Sequence, residues 1–128
     1  MGALMKNSFF LNNKEDFDNS DIGVYCLDED RRITYWNKKA EEITGYTADE
    51  MMGKYCFEGG LDHITEDDVH LCNTMCPMLG SMFDGEKREA EVRLLSKSQE
   101  RIKVKVETDC LYDGDKTIGA IEFFRLID

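Results

Sequence analysis

The sequence predicts an α+β fold in which a five-stranded antiparallel sheet carries short helices over one face. Two observations predict it. From residue 89 onward the chain alternates with period two: Ala90, Val92 and Leu94 against Glu89, Glu91 and Arg93, then Ile102, Val104 and Val106 against Arg101, Lys103, Lys105 and Glu107. Such alternation belongs to strands with one solvated face. Between an earlier pair of apolar runs and this block, the chain carries helix caps and stopping glycines at short intervals.

Taken in order, residues 6–20, "KNSFFLNNKEDFDNS", place Phe9, Phe10, Leu11 and Phe17 among polar residues without a clear period, and a short helix is predicted around Lys14 to Asn19. "IGVYCLD", the acidic turn Asp28-Glu29-Asp30 and "RRITYWN" read as strand, turn and strand. Asn37 can cap the helix "KKAEEIT" by accepting from a free first-turn amide, and Gly45 stops it. Thr47 and Glu50 have capping-box spacing at the head of "TADEMMG". Thr65, followed by Glu66, Asp67 and Asp68, predicts a third helix running through His70 toward residue 84. After the two alternating strands, Asp113-Gly114 signals a hairpin and "IGAIEFFRLI" a last apolar strand.

Composition narrows the functional classes. With 128 residues, 41% apolar and 34% charged, the chain suits one globular domain, read as an N-terminal extension over residues 1–20 and the domain over 21–128. A formal charge of -11 opposes binding to nucleic acid or an anionic membrane face. No apolar run approaches the roughly 20 residues that span a bilayer, so this domain is expected not to insert in a membrane and to be cytoplasmic. The odd set Cys26, Cys56, Cys72, Cys76 and Cys110 lacks the paired framework of a secreted disulfide scaffold, and reduced thiols are expected.

The stretch "DEDRRITYWNKKAEEITGYTADEMMGK", followed by "GEKREAEVRLLSKSQERIKVKVE" and "GDKTIGAIEFFRLID", resembles the PAS domain over roughly residues 20–127. That resemblance implies a sensory module, not an enzyme, that binds a small ligand or pairs with another copy and biases an attached effector. Cys56 after Gly53, with Leu71, Cys72, Cys76 and Pro77 as "LC-x3-CP", is similar to a cysteine-containing PAS type found in bacterial diguanylate cyclases and related signalling proteins. Cys56 also matches the reactive cysteine of flavin-binding LOV domains, but Tyr55 and Phe57 replace the neighbouring asparagine and arginine, so the resemblance argues against a photochemical flavin.

A pocket between the helices and the curved sheet is the expected ligand site. Strand parity and helix position nominate Tyr25, Tyr35, Cys56, Cys72, Met75, Phe83, Val92, Val104 and Phe124 as its lining. Within "HLCNTMCPM", Cys72 and Cys76 stand four apart, one helical face, and Pro77 breaks or begins a helix. Cys56, Cys72 and Cys76, with His70 or His63 as the fourth ligand, could close a tetrahedral site for zinc or an iron-sulfur centre, although the spacing is unconventional. The competing reading packs these thiols as small hydrophobes beside Met75, Met78, Leu79 and Met82. The cofactor stays unassigned, with haem on His70 one alternative. The expected function is a sensory domain for a small ligand or redox cue, acting on an attached effector such as a diguanylate cyclase or histidine kinase; the alternative is a ligand-free homodimerisation module.

Overall fold

The computed structural model describes residues 15–58, 60–71 and 77–127. Strands β1 (Gly23–Asp28), β2 (Ile33–Trp36), β3 (Arg88–Leu95), β4 (Arg101–Asp113) and β5 (Lys116–Leu126) form one antiparallel sheet in the order β2-β1-β5-β4-β3. The predicted α+β class and five-stranded sheet are therefore what the chain adopts. Helices α1 (Lys38–Thr44), α2 (Ala48–Met51) and α3 (Pro77–Asp84), with a 3-10 turn at Cys56–Glu58, fill the connection between β2 and β3.

One face of the sheet meets these helices. Tyr25, Leu27, Val92, Val104, Val106, Ala120 and Phe124 pack there against Ala40, Ile43, Met51 and Met78. On the other face Val24, Cys26, Tyr35, Leu111 and Ile121 are covered in part by Phe17, from a helical turn at 15–18, and by Phe123. The central strand β5 is thus buried on both sides from Gly119 to Glu122.

Local chemistry explains the helix boundaries. Asn37 caps α1 by accepting from Ala40 N–H, and Gly45 ends it in the left-handed conformation at φ 81°. The Thr47/Glu50 capping box is complete at α2. Pro77 stands at the first position of α3, where its missing amide hydrogen removes no helical bond.

The third helix does not start where predicted. Residues 66–69 form a turn in which Thr65 Oγ1 accepts from the amides of Asp67 and Val69, Thr65 N–H pairs with Val69 O, and Ile64 bridges His70. The hydroxyl that could cap a helix closes a tight turn instead. Ile64 also pairs with Arg93, so the stretch lies along the β3 edge and its backbone bonds go to the sheet.

Surface ion pairs join β3 and β4 only in part. Lys103 meets Glu91 and Lys105 meets Glu89, but Arg93 reaches across to Asp68 and Arg101 to Asp62. All are exposed to half-exposed, so each contributes at most about 1 kcal/mol.

Gly119 allows β5 to sit against β1: a Cβ there would lie 1.9 Å from Leu27 O, a backbone atom with no room to move. Gly119→Ala is therefore expected to lower stability by about 2 kcal/mol or more; a denaturation midpoint equal to that of the parent chain would refute this packing. Asn37→Ala should cost at least about 2 kcal/mol, because it strands buried backbone groups on two elements, with an unchanged denaturant slope in the same measurement.

Candidate functional site

Strand parity sets the inner-face rows. Tyr25 on β1 pairs with Glu122 on β5, and Glu122 pairs in turn with Thr108 on β4. A glutamate therefore occupies the middle of the central strand, facing the helices at 3% exposure. Ser81 of α3 hydrogen bonds the Thr108 hydroxyl, and Thr108 donates to Pro77 O, fixing the start of α3 over this row. From the far side His63 enters on the segment held to β3 by Ile64 and to Leu71 by its own carbonyl.

These elements enclose a cavity of about 20 Å³ at the inner end of a recess that opens to solvent. Tyr25, Cys56, His63, Leu71, Pro77, Met78, Val92, Val106 and Glu122 line it. His63 Nε2 and Glu122 Oε2 face each other at 3.8 Å, and both atoms are buried without a hydrogen-bond partner. Burial pushes the Glu122 carboxyl up to about 8, opposed by a hydrogen bond from Tyr25. Burial likewise pushes His63 down to about 4, against the attraction of Asp62. Both shifts favour the neutral form of each group.

Of the predicted lining residues, Tyr25, Cys56 and Val92 reach this cavity. Val104 and Phe124 belong to the packed core on the same face without lining it. Cys72 and Met75 lie outside the described residues.

Two placements are corrected. Tyr35 lies on the opposite face, its hydroxyl donating to Asp18, because its neighbour Trp36 takes the inward position and adjacent strand residues point to opposite sides. Phe83 is 92% exposed: α3 turns Met78 and Ser81 toward the sheet and leaves Phe83 outside.

His70 is not on a helix; it is exposed and its Nδ1 lies 2.6 Å from Asp62 Oδ1, while Asp62 Oδ2 also receives Arg101. Among the described residues no three His, Cys, Asp or Glu side chains converge as a metal site. Of the proposed ligands, Cys56 is buried at the cavity, His70 is at the surface, and Cys72 and Cys76 lie outside the described residues. Cys26 is buried on the opposite face, where desolvation raises its thiol pKa and disfavours thiolate chemistry.

Sequence reasoning weighed His63 only as an alternative fourth metal ligand, and it missed Glu122. Glu122 was legible: it shares parity with Ala120 and Phe124 in an apolar strand, so an acid had to face inward. His63 sits in an irregular stretch whose period announces nothing.

The PAS fold family model matches residues 15–127. The chain belongs to this family. Its fold is similar to the PAS domain of a protein from Colwellia psychrerythraea, with a TM-score of 0.74 at 18% identity, covering 92% of this chain and 96% of that one. A PAS domain from a two-component sensor histidine kinase superposes with a TM-score of 0.70 at 15% identity, covering 92% and 96% of the two chains. Phytochrome C of Arabidopsis thaliana is 27% identical over 111 residues, 83% of this chain but only 9% of that protein.

The buried pair predicts a specific pH dependence. An acid raised from 4.5 to about 8 loses its contribution as pH climbs through that window. A histidine lowered from 6.5 to about 4 loses its contribution as pH falls through that window. The two slopes cancel between 4.5 and 6.5, leaving a fall in stability from pH 6.5 to 8 of up to about 1.4 kcal/mol per unit. Urea denaturation of Glu122→Gln should lack that alkaline fall; a parallel curve for parent and variant would show Glu122 ionised in the fold.

Proposed function

We propose that this PAS domain is the sensory part of a signalling protein: it receives a small ligand or redox cue in the cavity beneath α3 and biases an attached effector through β5. The observation that carries this reading is the position of Glu122, which lines the cavity from the central strand of the sheet. A ligand that engages Glu122 acts directly on that strand. It shifts signalling only by the difference in its affinity for two states of the domain. The likeness to a PAS domain of a two-component sensor histidine kinase supports a histidine kinase effector, and the diguanylate cyclase alternative rests on the "LC-x3-CP" resemblance. Cys56, at the same cavity, is the thiol placed to receive a redox cue, and the "LC-x3-CP" segment belongs with the bacterial sensor type. No catalytic role is assigned to any residue, and the domain acts as a cytoplasmic receptor. Among the described residues no helix is long and apolar enough to cross a membrane.

A thermal-shift screen of metabolites, with the chain as given and with Val106→Phe, tests the reading. Val106 is 1% exposed at the cavity wall, and the larger ring should fill the space at a stability cost of about 1–3 kcal/mol. A stabilising compound whose effect vanishes in Val106→Phe, and which slows amide exchange in β5, is the expected result. A compound that stabilises both proteins equally, with β5 exchange unchanged, would sink the cavity as the sensing site.

The dimerisation reading draws on one observation of its own. A cavity of about 20 Å³ is far below the roughly 300 Å³ of ordinary ligand pockets, as a filled interaction module requires. Phe9 to Leu11, the stretch assigned to the partner contact, lies outside the described residues. Its removal must spare residues 15–20, because Asn37 Nδ2 donates to Phe17 O and Tyr35 to Asp18. A chain lacking residues 6–14 that is folded and monomeric by light scattering would favour this module; a dimer of that truncated chain would eliminate it.

A further inference from the structure

We propose that Glu122 and His63 form a hydroxyl-recognition pair, which seats the hydroxyl of a small neutral alcohol between Glu122 Oε2 and His63 Nε2 and leaves its carbon body against the apolar wall of the recess. The inference deepens the sensory reading above and rests on it.

The geometry argues first. Two buried polar atoms without a protein partner call for a small group that hydrogen bonds both. Their 3.8 Å separation is too long for a direct hydrogen bond, yet one oxygen about 2.8 Å from each would close it. The cavity of about 20 Å³ accommodates one water-sized group, which needs roughly 10–15 Å³. Met78, Val92 and Val106 line the opening beside it and give the carbon body an apolar surface to lie against.

The chemistry of the pair selects the group. With both partners neutral, the carboxylic acid presents an O–H and the imidazole a lone pair, or the proton sits on the ring nitrogen and the carboxyl accepts. Either arrangement requires donation and acceptance on a single atom of the ligand, which a hydroxyl provides. Water meets the same demand, and an alcohol displaces it while adding apolar burial. A carboxylate or phosphate finds no counter-charge, because no Lys or Arg lines the cavity among the described residues. An ammonium donates only, and would need Glu122 to ionise.

The test is an NMR titration of the isotope-labelled chain with 1-propanol, propylamine and propionate, read at the Val92 and Val106 methyls and at the His63 ring nitrogens. Saturable shifts at all three residues with 1-propanol alone are expected. Glu122→Gln, which keeps a neutral donor and acceptor, should bind 1-propanol within about threefold of the parent chain. Glu122→Leu should weaken it about tenfold, the loss of one buried hydrogen bond. Tighter binding of propylamine that disappears in Glu122→Gln would overturn the proposal in favour of cation recognition. Methyl shifts with 1-propanol but a silent His63 ring in the parent chain would overturn the pair and leave the cavity as a ligand site, a result that needs no variant to fold. Absence of saturable shifts with all three probes would overturn both the pair and the ligand reading.

Discussion

Asn37 is the fastener on which the sheet and its helical cover both depend. Its Oδ1 accepts from Val24 N–H on β1 and from Ala40 N–H in α1, and its Nδ2 donates to Phe17 O and Ile22 O ahead of β1. Every donor and acceptor of the side-chain amide is used. One buried residue therefore ties the helical turn at 15–18, the first strand and the first helix, which lie on both faces of the sheet. Aspartate would offer the acceptors but not the donors, and serine could not reach four partners.

With that corner fixed, the rest of the cover is positioned by short polar links. Trp36 packs on Tyr25 at 5.2 Å between ring centroids and donates to Tyr46 O, joining β2 to the turn after α1. Ser81 and Thr108 dock α3 on β4. The apolar surfaces then close around a space that they do not fill, and the two groups left at its wall are an acid and a histidine. A core of this size could have placed leucine at both positions; the retained polar pair concentrates the chemical character of the domain at one point on its central strand.

The period-two strands, the Asp-Gly turn, the caps at Asn37 and Thr47 and the stop at Gly45 were legible because each is a local rule: a spacing, a side chain within reach of its own backbone, or a residue tolerant of positive φ. Thr65 was misread because the same hydroxyl can cap a helix or close a turn, and the choice is made by pairing with β3 through Ile64 and Arg93. Phe83 was misread because the orientation of α3 is set by Ser81 meeting Thr108. Tyr35 and Trp36 alternate as any strand must, but which one faces inward depends on where the helices lie.

By itself, the sequence determined the strands, the two capped helices, their order, the α+β class and the membership implied by the run from Asp28 to Lys54, since these follow from periodicity and short-range hydrogen bonding. Only the tertiary structure decided that His63 and Glu122 meet. Residues so far apart in the chain are brought within 3.8 Å by the closing of the sheet under its helical cover, and it is the resulting exclusion of water that favours the neutral form of each and leaves Nε2 and Oε2 without a protein partner.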